Sequence, residues 1–129
     1  MTNILKNRKG VTLVELLAVI VIMGIIAAIA VPAIGGLIEN SRRNAVEGTI
    51  TSIEEAARLY AVTANPSASP YNLEVLDSYV DGVSLAGITT ITFTVSGNVI
   101  TFSGLGSFNV VSGGTTYTVV VNAGKLGIS

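Results

Sequence analysis

The segment that most limits this chain is LLAVIVIMGIIAAIAVPAIGGLI, residues 16–38, which runs for 23 positions between Glu15 and Glu39 without a charge. As a helix rising about 1.5 Å per residue it spans roughly 35 Å, enough to cross a bilayer. The chain has 129 residues, which leaves room for one small domain beside such an anchor.

Charge is arranged around this run. Of the seven basic residues, Lys6, Arg8 and Lys9 precede it; Arg42, Arg43, Arg58 and Lys125 face eight acidic groups in the rest of the chain. Positive charge flanking an apolar span stays on the cytoplasmic side, so residues 1–10 read as a cytoplasmic leader. The acidic remainder is not expected to bind nucleic acid by itself, because phosphate recognition draws on clustered Lys and Arg. Cysteine and histidine are both absent. Disulfides, thiol catalysis, zinc sites with the usual ligands and histidine acid–base chemistry are thereby excluded.

Beyond Glu39 no loop signal interrupts the chain. Val46, Ile50, Ile53, Ala57 and Tyr60 recur at spacings of four, three, four and three, the stripe of an amphipathic helix. One helix is expected from about Val11 to about Val62, weakened at Gly24, Gly35, Gly36 and Gly48 and kinked or locally unwound at Pro32. The segment TANPSASP stops it. YNLEVLDSYV is expected to form a short helix with Leu73, Leu76 and Val80 on one face. The period then becomes two: Ile91, Phe93 and Val95 alternate with Thr90, Thr92 and Thr94. A Gly-Asn turn leads into VITF, and FNVV, a Gly-Gly turn and TYTVVV supply a second hairpin. The expected fold is α+β: a long helix, apolar then amphipathic, packed on a small antiparallel sheet of three to four strands between Ile88 and Val121. NAGKLGIS is expected to be a tail.

The difficulty is Glu15, inside the apolar block. Three readings compete. A secretory signal cut after AIA, Ala28 to Ala30, would need an apolar core longer than usual with a glutamate in it. A plain anchor would let Thr12 and Glu15 form a capping box at the positive end of the helix. In the third, cleavage after Gly10 frees an α-amino group on Val11, four residues from Glu15. Charges in an apolar medium cost several kcal/mol unless paired, so staggered neighbouring helices could join one chain's glutamate to another's amine.

KGVTLVELLAVIVIMGIIAAIAVPAI closely resembles the class III signal and N-terminal helix of type IV pilins and their pseudopilin relatives. A basic residue, a glycine and an apolar run with glutamate at its fifth position carry the resemblance, over about residues 9–34. It implies that a prepilin peptidase cuts between Gly10 and Val11 and N-methylates Val11, with Lys9 and its basic neighbours holding the leader in the cytoplasm. It implies that Glu15 neutralises the Val11 amine of a neighbour, and that the stretch from Gly24 to Pro32 loses helical hydrogen bonds on assembly. The family usually has phenylalanine or another large apolar residue after the cut, where this chain has Val11.

The implied organisation is a removed leader (1–10), a transmembrane and filament-core half-helix (11–38), an amphipathic half-helix (39–62) and a β domain (63–129) packed on the latter. The implied function is a subunit, in the first reading the major one, of a type IV pilus, anchored in the cytoplasmic membrane and then polymerised into a cell-surface filament. Its partners would be further copies of itself, the prepilin peptidase, and the assembly platform and motor proteins; no cofactor is implied. A pseudopilin of type II secretion or of competence DNA uptake is the first alternative. Against the former, whose major member usually carries a calcium site in the C-terminal loop, residues 82–129 contain no Asp or Glu. A membrane-anchored binding domain is the second. No enzyme is expected: Glu54 and Glu55 diverge by about 100° on a helix, and Glu74, Asp77 and Asp81 read as a solvated surface. Arg42 and Arg43 are expected at the membrane or filament boundary, and Tyr60, Tyr71, Tyr79 and Tyr117 as packing or rim residues.

Overall fold

The computed structural model describes residues 2–64 and 69–129, with side chains from residue 10 onward. The Lys9 side chain and residues 65–68 of the helix-stop segment lie outside the described residues. The chain divides into two compact units, Met1–Asn40 and Ser41–Ser129.

Helix α1 is Thr2–Thr63. It begins well before Val11, so Thr12 lies in its interior. A capping box requires a non-helical residue at the cap, so Thr12 and Glu15 form none in the uncut chain. Helix continues unbroken through Gly24, Pro32, Gly35 and Gly36. The local unwinding expected at Pro32 is not present in the single chain, although Pro32 still has no N–H to offer the Ala28 carbonyl.

Within Ser41–Ser129 the expected stripe is the core face of α1. Val46, Ile53 and Ala57 are fully buried, Ile50 and Ala56 nearly so, and Tyr60 packs against them. The β segments differ from expectation in number. There are two three-stranded antiparallel sheets: β1 (Tyr71–Asn72), β2 (Ile91–Ser96) and β3 (Val99–Gly104), then β4 (Ser107–Ser112), β5 (Thr115–Asn122) and β6 (Lys125–Ile128). Phe102 N–H donates to the Gly124 carbonyl at 2.9 Å, which links β3 to the β5–β6 turn. The expected hairpins are present, with Ser96 opposite Val99 and Ser112 opposite Thr115. Their turns carry the required positive φ at Gly97 (59°) and at Gly113 and Gly114 (57° and 80°).

The expected C-terminal tail is instead strand β6, and it buries Leu126. Its turn, Ala123–Gly124, has positive φ at both residues. Alanine is rarely found there, so the sequence carries only half of the usual signal. The expected short helix after Pro70 is a strand residue pair followed by a 3-10 turn, Leu73–Leu76, and Leu73, Leu76 and Val80, expected on one helical face, are all buried. Ile91, Phe93, Phe102, Phe108, Val110, Tyr117 and Val119 complete the core from the strands, and Leu85 enters it from a loop.

Candidate processing and assembly segment

The candidate segment lies in Met1–Asn40, where α1 leaves its described large apolar side chains exposed. From Val11 to Ile38 each is 45% exposed or more, and none of the most apolar window of α1 is buried. Apolar surface of this extent is unfavourable in water at roughly 25 cal/mol per Å². By length and composition α1 is long and apolar enough to cross a membrane, and its exposed surface fits an apolar environment.

Gly10 is helical, with open space where a Cβ would stand. Val11 is 56% exposed, and Glu15 is exposed one turn further on. Residues four apart on a helix share a face about 6 Å apart. The chain therefore places the Val11 main-chain nitrogen and the Glu15 carboxylate on adjoining turns of one apolar rod. Gly24 is likewise open on the helix surface. No single-sequence signal beyond the motif itself marks these positions, because a lone apolar helix has no tertiary partners to constrain it.

The other polar candidates act inside the domain. Asp77 Oδ1 accepts the Leu85 and Ala86 N–H groups at 2.6 and 3.1 Å and so closes the loop that delivers Leu85 to the core. Arg42, expected at a boundary, donates to Thr115 Oγ1 at 3.1 Å. Arg58 donates to Asn98 Oδ1 at 2.9 Å and lies 3.8 Å from Glu55. Among the described residues no group of three or more acidic, histidine or cysteine side chains could hold a metal. Tyr60 packs edge-on against Tyr71 and Tyr79, with centroids 5.3 and 5.9 Å apart, and Tyr117 is buried. A cleft of about 430 Å³ beside Arg58, Tyr71 and Asn98 holds no nucleophile–base pair among its described lining residues.

Residues 5–31 match the family model of the prokaryotic N-terminal methylation motif. The chain is 31% identical to a type IV narrow pilus major component of Thermus thermophilus over 111 residues, 86% of this chain and 93% of that one. It is 38% identical to a type II secretion system core protein G of Klebsiella michiganensis over 55 residues, 43% of this chain and 39% of that one. No solved structure matches. Likeness over nearly the whole of both chains, joined to a long helix and a small antiparallel β domain, places the chain in the family of type IV pilin-like subunits, structural proteins that are not enzymes.

Proposed function

We propose that the chain is a prepilin and that its mature form is the major subunit of a type IV pilus. In this reading a prepilin peptidase removes residues 1–10 by cutting between Gly10 and Val11 and methylates the new amine of Val11. Residues 11–38 hold the subunit in the cytoplasmic membrane, leader side in the cytoplasm, until assembly platform and motor proteins move it into a cell-surface filament. The observation that carries the reading is the uncovered apolar helix with Glu15 one turn from Val11.

The physical logic is pairing. Inside a filament core the Glu15 carboxylate and the Val11 amine would each be costly alone. Two parallel helices staggered by about 6 Å bring one chain's amine level with its neighbour's carboxylate, since four residues rise by that amount. Glu15 then sets the axial register of the subunits. Pro32, which leaves the Ala28 carbonyl without its helical donor, and Gly24 mark the stretch that would give up helix as subunits pack.

A pseudopilin role is the second reading, favoured by the identity to a type II secretion core protein. That likeness covers 39% of the relative, against 93% for the pilus component, which supports the pilus.

The test combines mass spectrometry of the mature N-terminus with Glu15→Ala. Methylated Val11 is expected, and Glu15→Ala should be cleaved normally while filament yield falls at least about tenfold, the effect of losing one buried charge partner. An intact Met1, or normal filaments from Glu15→Ala, would overturn the reading.

A further inference from the structure

We propose that β4 is a self-pairing edge, at which two copies of the chain join Ser107–Ser112 to the same strand of the other, antiparallel and centred on Asn109.

The ladder geometry selects the residues. Ser112 and Thr115 flank a two-residue turn and so form a hydrogen-bonded pair. Such pairs alternate along an antiparallel ladder. Val110 with Tyr117 and Phe108 with Val119 are therefore the other bonded pairs, and Ser107, Asn109 and Val111 turn their N–H and C=O groups away from β5. Among the described residues no backbone partner is found for them.

The edge lacks the usual protections. Natural sheets blunt such edges with lysine, proline, a bulge or a very short strand. The register of β4 with β5 is unbroken over six residues, and the strand SFNVVS has neither charge nor proline. At the far side of the first sheet, β1 is only two residues long, and β3 is joined to the β5–β6 turn. Of the two edges of its own sheet, β6 has four residues and β4 six, so β4 is the longer.

The occupant follows from charge and register. Residues 82–129 carry one charged side chain, Lys125, so two copies meet there with little repulsion, and an acidic or basic segment would gain nothing. A two-fold axis through Asn109 sets Ser107 against Val111 of the partner subunit and Asn109 against Asn109 of the partner subunit. Each outward N–H then meets an outward carbonyl. Asn109 Oδ1 already accepts from Thr118 Oγ1 at 3.3 Å, which leaves its amide N–H groups to donate. Val111, 62% exposed, gains cover.

The pairing stands on β4 alone. Combined with the filament reading, it joins subunits of neighbouring filaments, because a two-fold contact closes on itself and cannot propagate a polar helix.

The chain has no cysteine, so Asn109→Cys in the detergent-solubilised full chain is a clean reporter, with Thr94→Cys, on the outer face of β2, as the control. Oxidation should give a homodimer from Asn109→Cys and little from Thr94→Cys. Adding Val111→Pro, which removes only an outward N–H, should cut dimer yield about tenfold through two lost bonds. Asn109→Lys, which sets like charges opposite, should abolish the dimer of the otherwise native chain in sedimentation. Equal cross-linking at both cysteines, yield unaffected by Val111→Pro, a dimer that survives Asn109→Lys, or a cross-link to a polypeptide of different mass would each overturn the proposal.

Discussion

Arg42 Nη1 reaches Thr115 Oγ1 at 3.1 Å across 73 positions of chain, joining helix α1 to the tip of the β4–β5 hairpin. In the same hairpin, a Cβ on Gly113 would stand 2.7 Å from Arg42 Nε, and the residue has φ +57°. Arg42→Ala should lower unfolding free energy by about 1 kcal/mol, the typical net worth of a hydrogen bond. Gly113→Ala should cost more, about 1–2 kcal/mol from the left-handed backbone alone, with the guanidinium displaced in addition. Urea denaturation followed by circular dichroism reads both.

Asp77 closes its loop with one oxygen. Asp77→Ala should free residues 77–86 at a cost of about 1–2 kcal/mol, because the Leu85 and Ala86 N–H groups lose their acceptor. Asp77→Asn keeps an oxygen in place and should recover most of that. Hydrogen exchange at Leu85 is the direct readout: fast in the alanine variant, slow in the asparagine one.

Ala123 sits at φ 51° in a turn that favours asparagine followed by glycine. Ala123→Asn should stabilise the domain by about 1 kcal/mol, the left-handed penalty that alanine carries. Ala123→Val should destabilise it. A rise in melting temperature for Asn and a fall for Val are expected; the reverse order would show that β6 does not depend on this turn.

Ile53 is fully buried and Leu59, six residues on, is 56% exposed. Ile53→Ala should cost about 2–5 kcal/mol through lost burial and the cavity left behind, whereas Leu59→Ala should stay within about 0.5 kcal/mol. Equal effects would mean that the stripe of α1 had been assigned to the wrong face.

Much of the fold is legible where periodicity runs long. Val46, Ile50, Ile53 and Ala57 repeat over three turns, and Ile91, Phe93 and Val95 alternate with threonines, so both patterns survive in the structure. Shorter or weaker signals misled. Leu126 and Ile128 are too few to declare a strand, and the spacing of Leu73 and Leu76 suits a 3-10 turn as well as a helical face. The candidate segment was legible as a motif, since Lys9, Gly10 and Glu15 lie within seven consecutive positions of the chain. The roles of Arg42 and Asp77 were not, because their partners lie 73 and eight or nine residues away.

By itself the sequence determined what is local: an apolar run long enough to span a membrane, a carboxylate one turn from the nitrogen that a cut would free, an amphipathic continuation and two glycine-turned hairpins. Each rests on interactions between residues a few positions apart, which chain order fixes directly. Only the tertiary structure decided that the strands form two sheets joined at Gly124, that the last segment pairs with β5, and that β4 keeps an open edge. Those outcomes depend on which distant backbone groups find partners, and a list of residues does not contain that information.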